Sequence, residues 1–289
     1  MMATRVTMPD ISPFAMDSKA YGAEVDKFHT RLLRVSLALE ESRDYWEQMS
    51  LQTPREGRAE LAFENRWFGS KSMARVQRLL AEFSHRYDAY PAAIATLIDW
   101  QPSDLITRQN ICHWHLQLSD PMYRAFSSTF LELRRSHQSP HQSSYGEAKI
   151  DRDIVARWVA ENITAQWASA TVLRMATALI TCATAAGLCE RAGTQRTLTY
   201  PKVTDAALTY WVYFLRGLKY QGTVLKNPYF VSVGLSDRFL EQRLRQLEGL
   251  TFSRMGDLYE FDWRYANLQD WAAALPALQR SLKRSLKRS

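Results

Sequence analysis

The sequence predicts a mainly α protein: an N-terminal helical bundle, then a winged helix-turn-helix-like domain with short β-hairpins. Three observations carry this. Gly and Pro are scarce, 11 and 10 of 289 residues, which favours helices over a turn-rich β fold. Apolar residues recur at helical spacing through most of the chain. Past the midpoint, a helix, a short turn, a longer helix and a hairpin follow in the order of a winged helix.

Residues 1–19 read as a flexible leader, without an apolar run of signal-peptide kind. A helix is expected from Ala23 to Met49, with Leu32, Leu33, Leu37 and Trp46 on its apolar stripe and Glu40, Glu41, Arg43 and Asp44 on its wetter face. Pro54 and Gly57 break it. A second helix is expected over Arg58–Trp67. A third, capped by Ser72, runs from Met73 to Tyr87 with Val76, Leu79, Leu80 and Phe83 inward. Pro91 opens a fourth, and Asp104–Leu118 and Pro121–Arg135 complete the bundle, which spans 20–135. The Ser-, His- and Gln-rich stretch Ser136–Gly146 marks a linker over 136–150.

Asp151 is placed to cap a helix over Ile154–Asn162, and Ser169 a long helix from Ala170 to Ala186 that ends at Gly187. Leu188–Pro201 reads as a hairpin turning at Ala192-Gly193, with β-prone Thr197, Leu198, Thr199 and Tyr200. Asp205–Leu215 is helical again, so the winged-helix-like domain spans 151–220. A helix, hairpin and helix fill 221–279: Ser236 caps Arg238–Leu247, strands flank Met255-Gly256-Asp257, and Asn267–Leu278 follows. Residues 280–289 are a basic tail.

Charge has to be read locally. The net charge is +7, but Arg280, Lys283, Arg284, Lys287 and Arg288 of the tail supply five of it, leaving 32 basic against 30 acidic residues. Between Asp151 and Lys226 nine basic residues face five acidic ones, a local excess of +4. A recognition helix brings short polar side chains and a cation to base edges, and a wing brings cations to the backbone. Ser169, Thr171 and Arg174 on the long helix, and Arg191, Gln195, Arg196 and Lys202 on or beside the hairpin, are the expected contacts to double-stranded DNA.

No catalytic or metal constellation stands out. P-loop, G-x-G-x-x-G and G-x-S-x-G patterns are missing. His113 and His115 sit at i, i+2 and point to different helix faces, so they read as packing histidines. His137 and His141 flank Pro140, which argues against the helix a zinc pair needs. Cys112 beside His113 would diverge on a helix. The three cysteines suit a reducing compartment, and Cys182 and Cys189, on one helical reading, stand too far apart for a disulfide. Ala176–Leu188, the most apolar run, is too short to span a membrane. A cytoplasmic protein with no cofactor is expected.

Two N-terminal stretches and the winged segment resemble a known family. Ala38-Leu39-Glu40-Glu41-Ser42-Arg43 looks like the opening of the BrxA family of BREX phage-defence systems. Asn65-Arg66-Trp67-Phe68, followed by Ser70 to Arg75, is similar to that family's segment before a helix. Ser169–Leu188 and then Arg196–Pro201 resemble its later helix and hairpin, and the likeness covers roughly residues 30–215. It implies a bundle similar to the NusB fold, a winged-helix part, DNA binding without catalysis, and action beside methyltransferase, ATPase and phosphatase-like components. Residues 220–289 depart from the family. An RNA-binding module and a protein scaffold using the hairpins as docking edges are the alternatives.

Overall fold

A computed structural model describes residues 24–136, 148–163, 167–220, 222–256 and 258–275. They are mainly helical, with two small antiparallel sheets. The leader, the tail, His137 and His141 lie outside the described residues.

The first helix is shorter than its apolar pattern suggests. Residues 24–38 are largely irregular, with one 3-10 turn at Arg31–Leu33, and α1 spans Leu39–Gln48. Two features account for the difference. Ala38 has φ 54, a left-handed conformation that ends any helix entering it. The buried Arg86 guanidinium donates to the carbonyls of Val35 (2.8 Å) and Leu37 (3.2 Å). Those carbonyls are thereby satisfied by the tertiary fold rather than by a helical turn.

Next come α2 (Arg58–Glu64), α3 (Met73–Phe83), which passes into a π-helical turn at Ser84–Asp88, and α4 (Pro91–Trp100). The central element is α5 (Leu105–Ser119), started by Asp104 accepting from the Thr107 amide. Nearly all of it past its first turn is buried. A run without an amphipathic stripe is the signature of a helix enclosed on all sides. His113 and His115 serve this enclosure. His113 bonds Tyr123 and Ser232, each at 2.9 Å, and His115 bonds the Arg86 carbonyl (2.9 Å) and the Tyr210 hydroxyl (2.7 Å). Burial pushes both imidazoles down to about 3, so they are neutral struts.

After α5, α6 (Pro121–Ala125), a π-helical turn (Phe126–Phe130) and α7 (Leu131–Ser136) form one rod. Strand β1 is Lys149–Ile150, so these two residues of the expected linker belong to a sheet. Then follow α8 (Arg152–Asn162), α9 (Ser169–Ala185), β2 (Cys189–Ala192), β3 (Gln195–Leu198) and α10 (Asp205–Arg216). The sheet order is β1-β3-β2. Arginines of α7 fasten it: Arg134 donates to the Lys149 carbonyl (3.1 Å), and Arg135 donates to Leu188 (3.2 Å) while lying 4.1 Å from the Tyr200 ring centre.

The C-terminal part holds α11 (Pro228–Ser232), α12 (Asp237–Arg245), the hairpin β4 (Leu250–Met255) with β5 (Leu258–Trp263), and helical residues 268–275. Its hairpin forms a sheet of its own. Trp114 donates to the Tyr229 carbonyl (3.0 Å), and Trp271 packs edge-on against Trp100 at 5.1 Å. One continuous buried cluster therefore runs from Leu32 to Ala272.

Candidate nucleic-acid interface

The strand, the two helices and the hairpin are set by local chemistry. The Asp151 carboxylate accepts from the Ile154 amide at 2.9 Å and starts α8. Ser169 is the first residue of α9 and makes no capping bond; Ala168 occupies the position before it. Val172, Met175, Ala176, Leu179, Ile180 and Ala183 bury one face of α9. Its end is closed by paired bonds, Gly187 N–H to the Thr184 carbonyl (3.1 Å) and Leu188 N–H to the Ala183 carbonyl (2.9 Å). This closure needs the positive φ of Gly187, +72°. Gly193, at φ +61°, turns the β2–β3 hairpin.

The seven expected contact residues do not form one patch. Ser169 and Arg174 are exposed and Thr171 is half-buried, all in the first turns of α9. On the hairpin, Arg191 lies directly opposite Arg196, and Ala192 opposite Gln195. Arg191 is exposed, while Gln195 and Arg196 are half-buried. Arg196 donates through Nη1 to the Gln195 carbonyl (2.9 Å), and its buried Nε has no partner among the described residues. Lys202 is exposed but sits at the far end of α9. Its neighbour Pro201 abuts Gly187, and its own carbonyl accepts from Asn110 of α5 at 3.2 Å. The 17-residue α9 is about 24 Å long, which separates Lys202 from the Ser169 end.

Arg174 has neighbours that sequence spacing does not reveal. With Arg34, Arg75 and Arg152 it lines a cleft of about 500 Å³. Leu32, Leu33, Leu173 and Ala178 supply its apolar lining, and no carboxylate among the described residues lines it. The 3-10 turn Arg31–Leu33 packs on α9, so the segment before α1 forms one wall. Arg75 holds that wall by donating to the Arg34 carbonyl at 2.8 Å. Thr177 and Thr181 also line the cleft, with hydroxyls donated back to the Leu173 and Thr177 carbonyls (3.0 and 2.8 Å). Arg152 is 3.7 Å from Asp153, both highly exposed.

Arg152 joins the two groups of expected contacts. It shares the cleft with Arg174, and two residues before it Ile150 pairs with Arg196 across the β1–β3 ladder. Arg196 in turn faces Arg191. Through Ile150 the start of α8 is thus tied to the strand that carries Arg196.

Elsewhere the candidate chemistry is absorbed by the fold. Cys112 is fully buried, its thiol pushed up by burial, and it receives the Tyr87 hydroxyl at 3.5 Å. Both His113 nitrogens are engaged with Tyr123 and Ser232, away from that thiol. Cys182 lies on α9 and Cys189 on β2 rather than on a shared helix, and all three cysteines are free and buried. No group of three His, Cys, Asp or Glu among the described residues has metal-binding geometry. No helix among them is long and apolar enough to cross a membrane.

Fold and site define a mainly helical protein with a strand–helix–helix–hairpin unit edged by arginine. The family model of BrxA matches residues 26–210, and the chain belongs to that family. Membership implies a component of a BREX-type phage-defence system. The match ends at Tyr210 within α10, so α11, α12 and the second hairpin lie beyond it. No curated protein matches the chain.

Proposed function

We propose that the protein is a non-catalytic, DNA-binding component of its defence system, and that the unit β1–α8–α9–β2–β3 is a winged helix. The observation that carries this reading is the sheet order β1-β3-β2 next to the α8–α9 pair. That is the arrangement in which a hairpin wing stands beside a recognition helix. Arg174 and Arg152 in the cleft, and Arg196 and Arg191 on the hairpin, supply cations for backbone phosphates. Arg174, Thr171 and Ser169 then address the duplex from α9, Arg191, Gln195 and Arg196 from the wing, and Lys202 a more distant phosphate. The non-catalytic part rests on Cys112 and His113, which are consumed by buried structural bonds.

Competition tests it. Unlabelled duplex DNA should displace a labelled duplex far better than structured RNA of equal length. Equal displacement by RNA would favour the RNA-binding alternative.

A second reading has its own observation. On the β4–β5 hairpin Met255 and Leu258 are paired at the tip and 79% and 73% exposed, with Tyr259 beside them. An apolar tip of this kind suits docking to another component of the system, such as its methyltransferase, ATPase or phosphatase-like protein. Met255→Asp with Leu258→Asp should then abolish co-purification while leaving duplex binding intact.

A further inference from the structure

We propose that the four-arginine cleft between the segment Arg31–Ser36 and α9 is a binding site for a phosphorylated nucleotide unit, clamped jointly by the N-terminal bundle and the winged-helix-like unit.

Four arginines, Arg34, Arg75, Arg152 and Arg174, line one cleft that no described carboxylate lines. Among the described residues Arg75 and Arg174 form no ion pair; Arg34 has the buried Glu82 carboxyl within electrostatic reach but not in contact, and Arg152 makes one exposed ion pair with Asp153 at 3.7 Å. Like charges gathered this way repel one another unless an anion joins them. The planar guanidinium fork matches phosphate oxygens two at a time.

Shape and lining narrow the class. About 500 Å³ exceeds what a bare phosphate needs and lies in the range of small-ligand sites. The apolar lining from Leu32, Leu33 and Leu173 suits a sugar or base edge beside the charged group. A nucleotide unit has both parts.

The walls of the cleft come from points 140 residues apart, Arg34 and Arg174, and Arg75 bonds the Arg34 carbonyl, which fixes the position of that wall. A phosphate held here meets Arg174 together with the bundle, so contact would not be confined to α9 and its hairpin.

The phosphate has two possible sources: a strand of duplex DNA or a free nucleotide. The first rests on the function proposed above; the cleft itself does not. The test compares the full chain with Arg34→Ala/Arg75→Ala and with Thr177→Glu, which puts a carboxylate into the cleft on an exposed helix face. Calorimetry at low salt measures deoxyadenosine monophosphate, with deoxyadenosine as the phosphate-free probe. Fluorescence anisotropy measures a labelled duplex, and thermal melting confirms folding. The expected result is monophosphate bound about tenfold or more tightly than nucleoside, with that preference lost in both variants. Duplex affinity should fall about tenfold in the same variants, with a salt slope shallower by about one phosphate contact. A monophosphate preference that needs the arginines, with duplex affinity unchanged or absent, keeps the cleft and assigns it to a free nucleotide. No preference for monophosphate, or an equal preference in folded variants, overturns the cleft while leaving duplex binding to be judged separately.

Discussion

Arg191 and Arg196 stand directly opposite each other across the β2–β3 ladder, two like charges where cross-strand chemistry favours opposite ones. The arrangement costs stability in the free protein and is relieved when an anion lies across the hairpin. Arg191→Ala should therefore raise stability at low salt by about 0.2–1 kcal/mol. The same substitution should weaken duplex binding. A urea titration at two salt concentrations checks the first effect and anisotropy the second. Loss of stability in Arg191→Ala at low salt would sink this account of the wing.

The two histidines of α5 set a pH dependence. Both are neutral in the fold, with values near 3, and titrate near 6.5 when the chain unfolds. The unfolded state therefore binds more protons below pH 6.5, and stability falls from there towards pH 3. Each histidine contributes a slope of about 1.4 kcal/mol per pH unit in that window. Burial raises Glu82 and Asp120, and these carboxyls act in the opposite sense. The comparison to make is between the wild type and His115→Gln. The variant's unfolding free energy, followed from pH 7 to pH 5, should decline about half as steeply from this source. Identical slopes would contradict the strut assignment.

Gly187 tests the closure of α9. A Cβ there would take a left-handed φ and approach Pro201 Cβ at 3.2 Å. Gly187→Ala should cost about 1–2 kcal/mol, read as a lower denaturant midpoint with unchanged slope. A neutral substitution would show that this helix end relaxes without the glycine.

Arg86 tests the irregular N-terminal segment. Replacing it with Met leaves the Val35 and Leu37 carbonyls without their charged donor. Loss of the two bonds should cost about 2–4 kcal/mol and raise amide exchange in residues 32–38 before that of α5. Because this segment is one wall of the arginine cleft, duplex affinity should fall as well.

Much of the element order was legible because it is written in local signals. Asp151 starts α8, Gly187 ends α9, and the turn at Gly193 makes the hairpin. What local signals missed was decided at a distance. The apolar spacing of Leu32 to Trp46 suits one long helix, yet Arg86, about 50 residues on, claims the Val35 and Leu37 carbonyls and keeps that stretch irregular. Ser72, Ser169 and Ser236 have the composition of caps and make no capping bond. Arg174 stood out on its helix, but nothing in the sequence ties Arg34, or Arg75 at the end of the family-like stretch, to it; only the folded chain puts them beside it. Lys202 shows the reverse, close to the hairpin in sequence and tied in space to α5.

The most direct test of DNA binding is an anisotropy titration of a labelled duplex across salt, comparing the wild type with Arg174→Ala/Arg196→Ala. The wild type should bind with an affinity that falls steeply as salt rises, with a slope of about −0.9 per phosphate contacted. The double variant should stay folded and melt no lower than the wild type, bind about tenfold or more weakly, and show a slope shallower by one to two contacts. Equal affinity and equal slope in a folded variant, or no duplex binding by the wild type at low salt, would contradict the account.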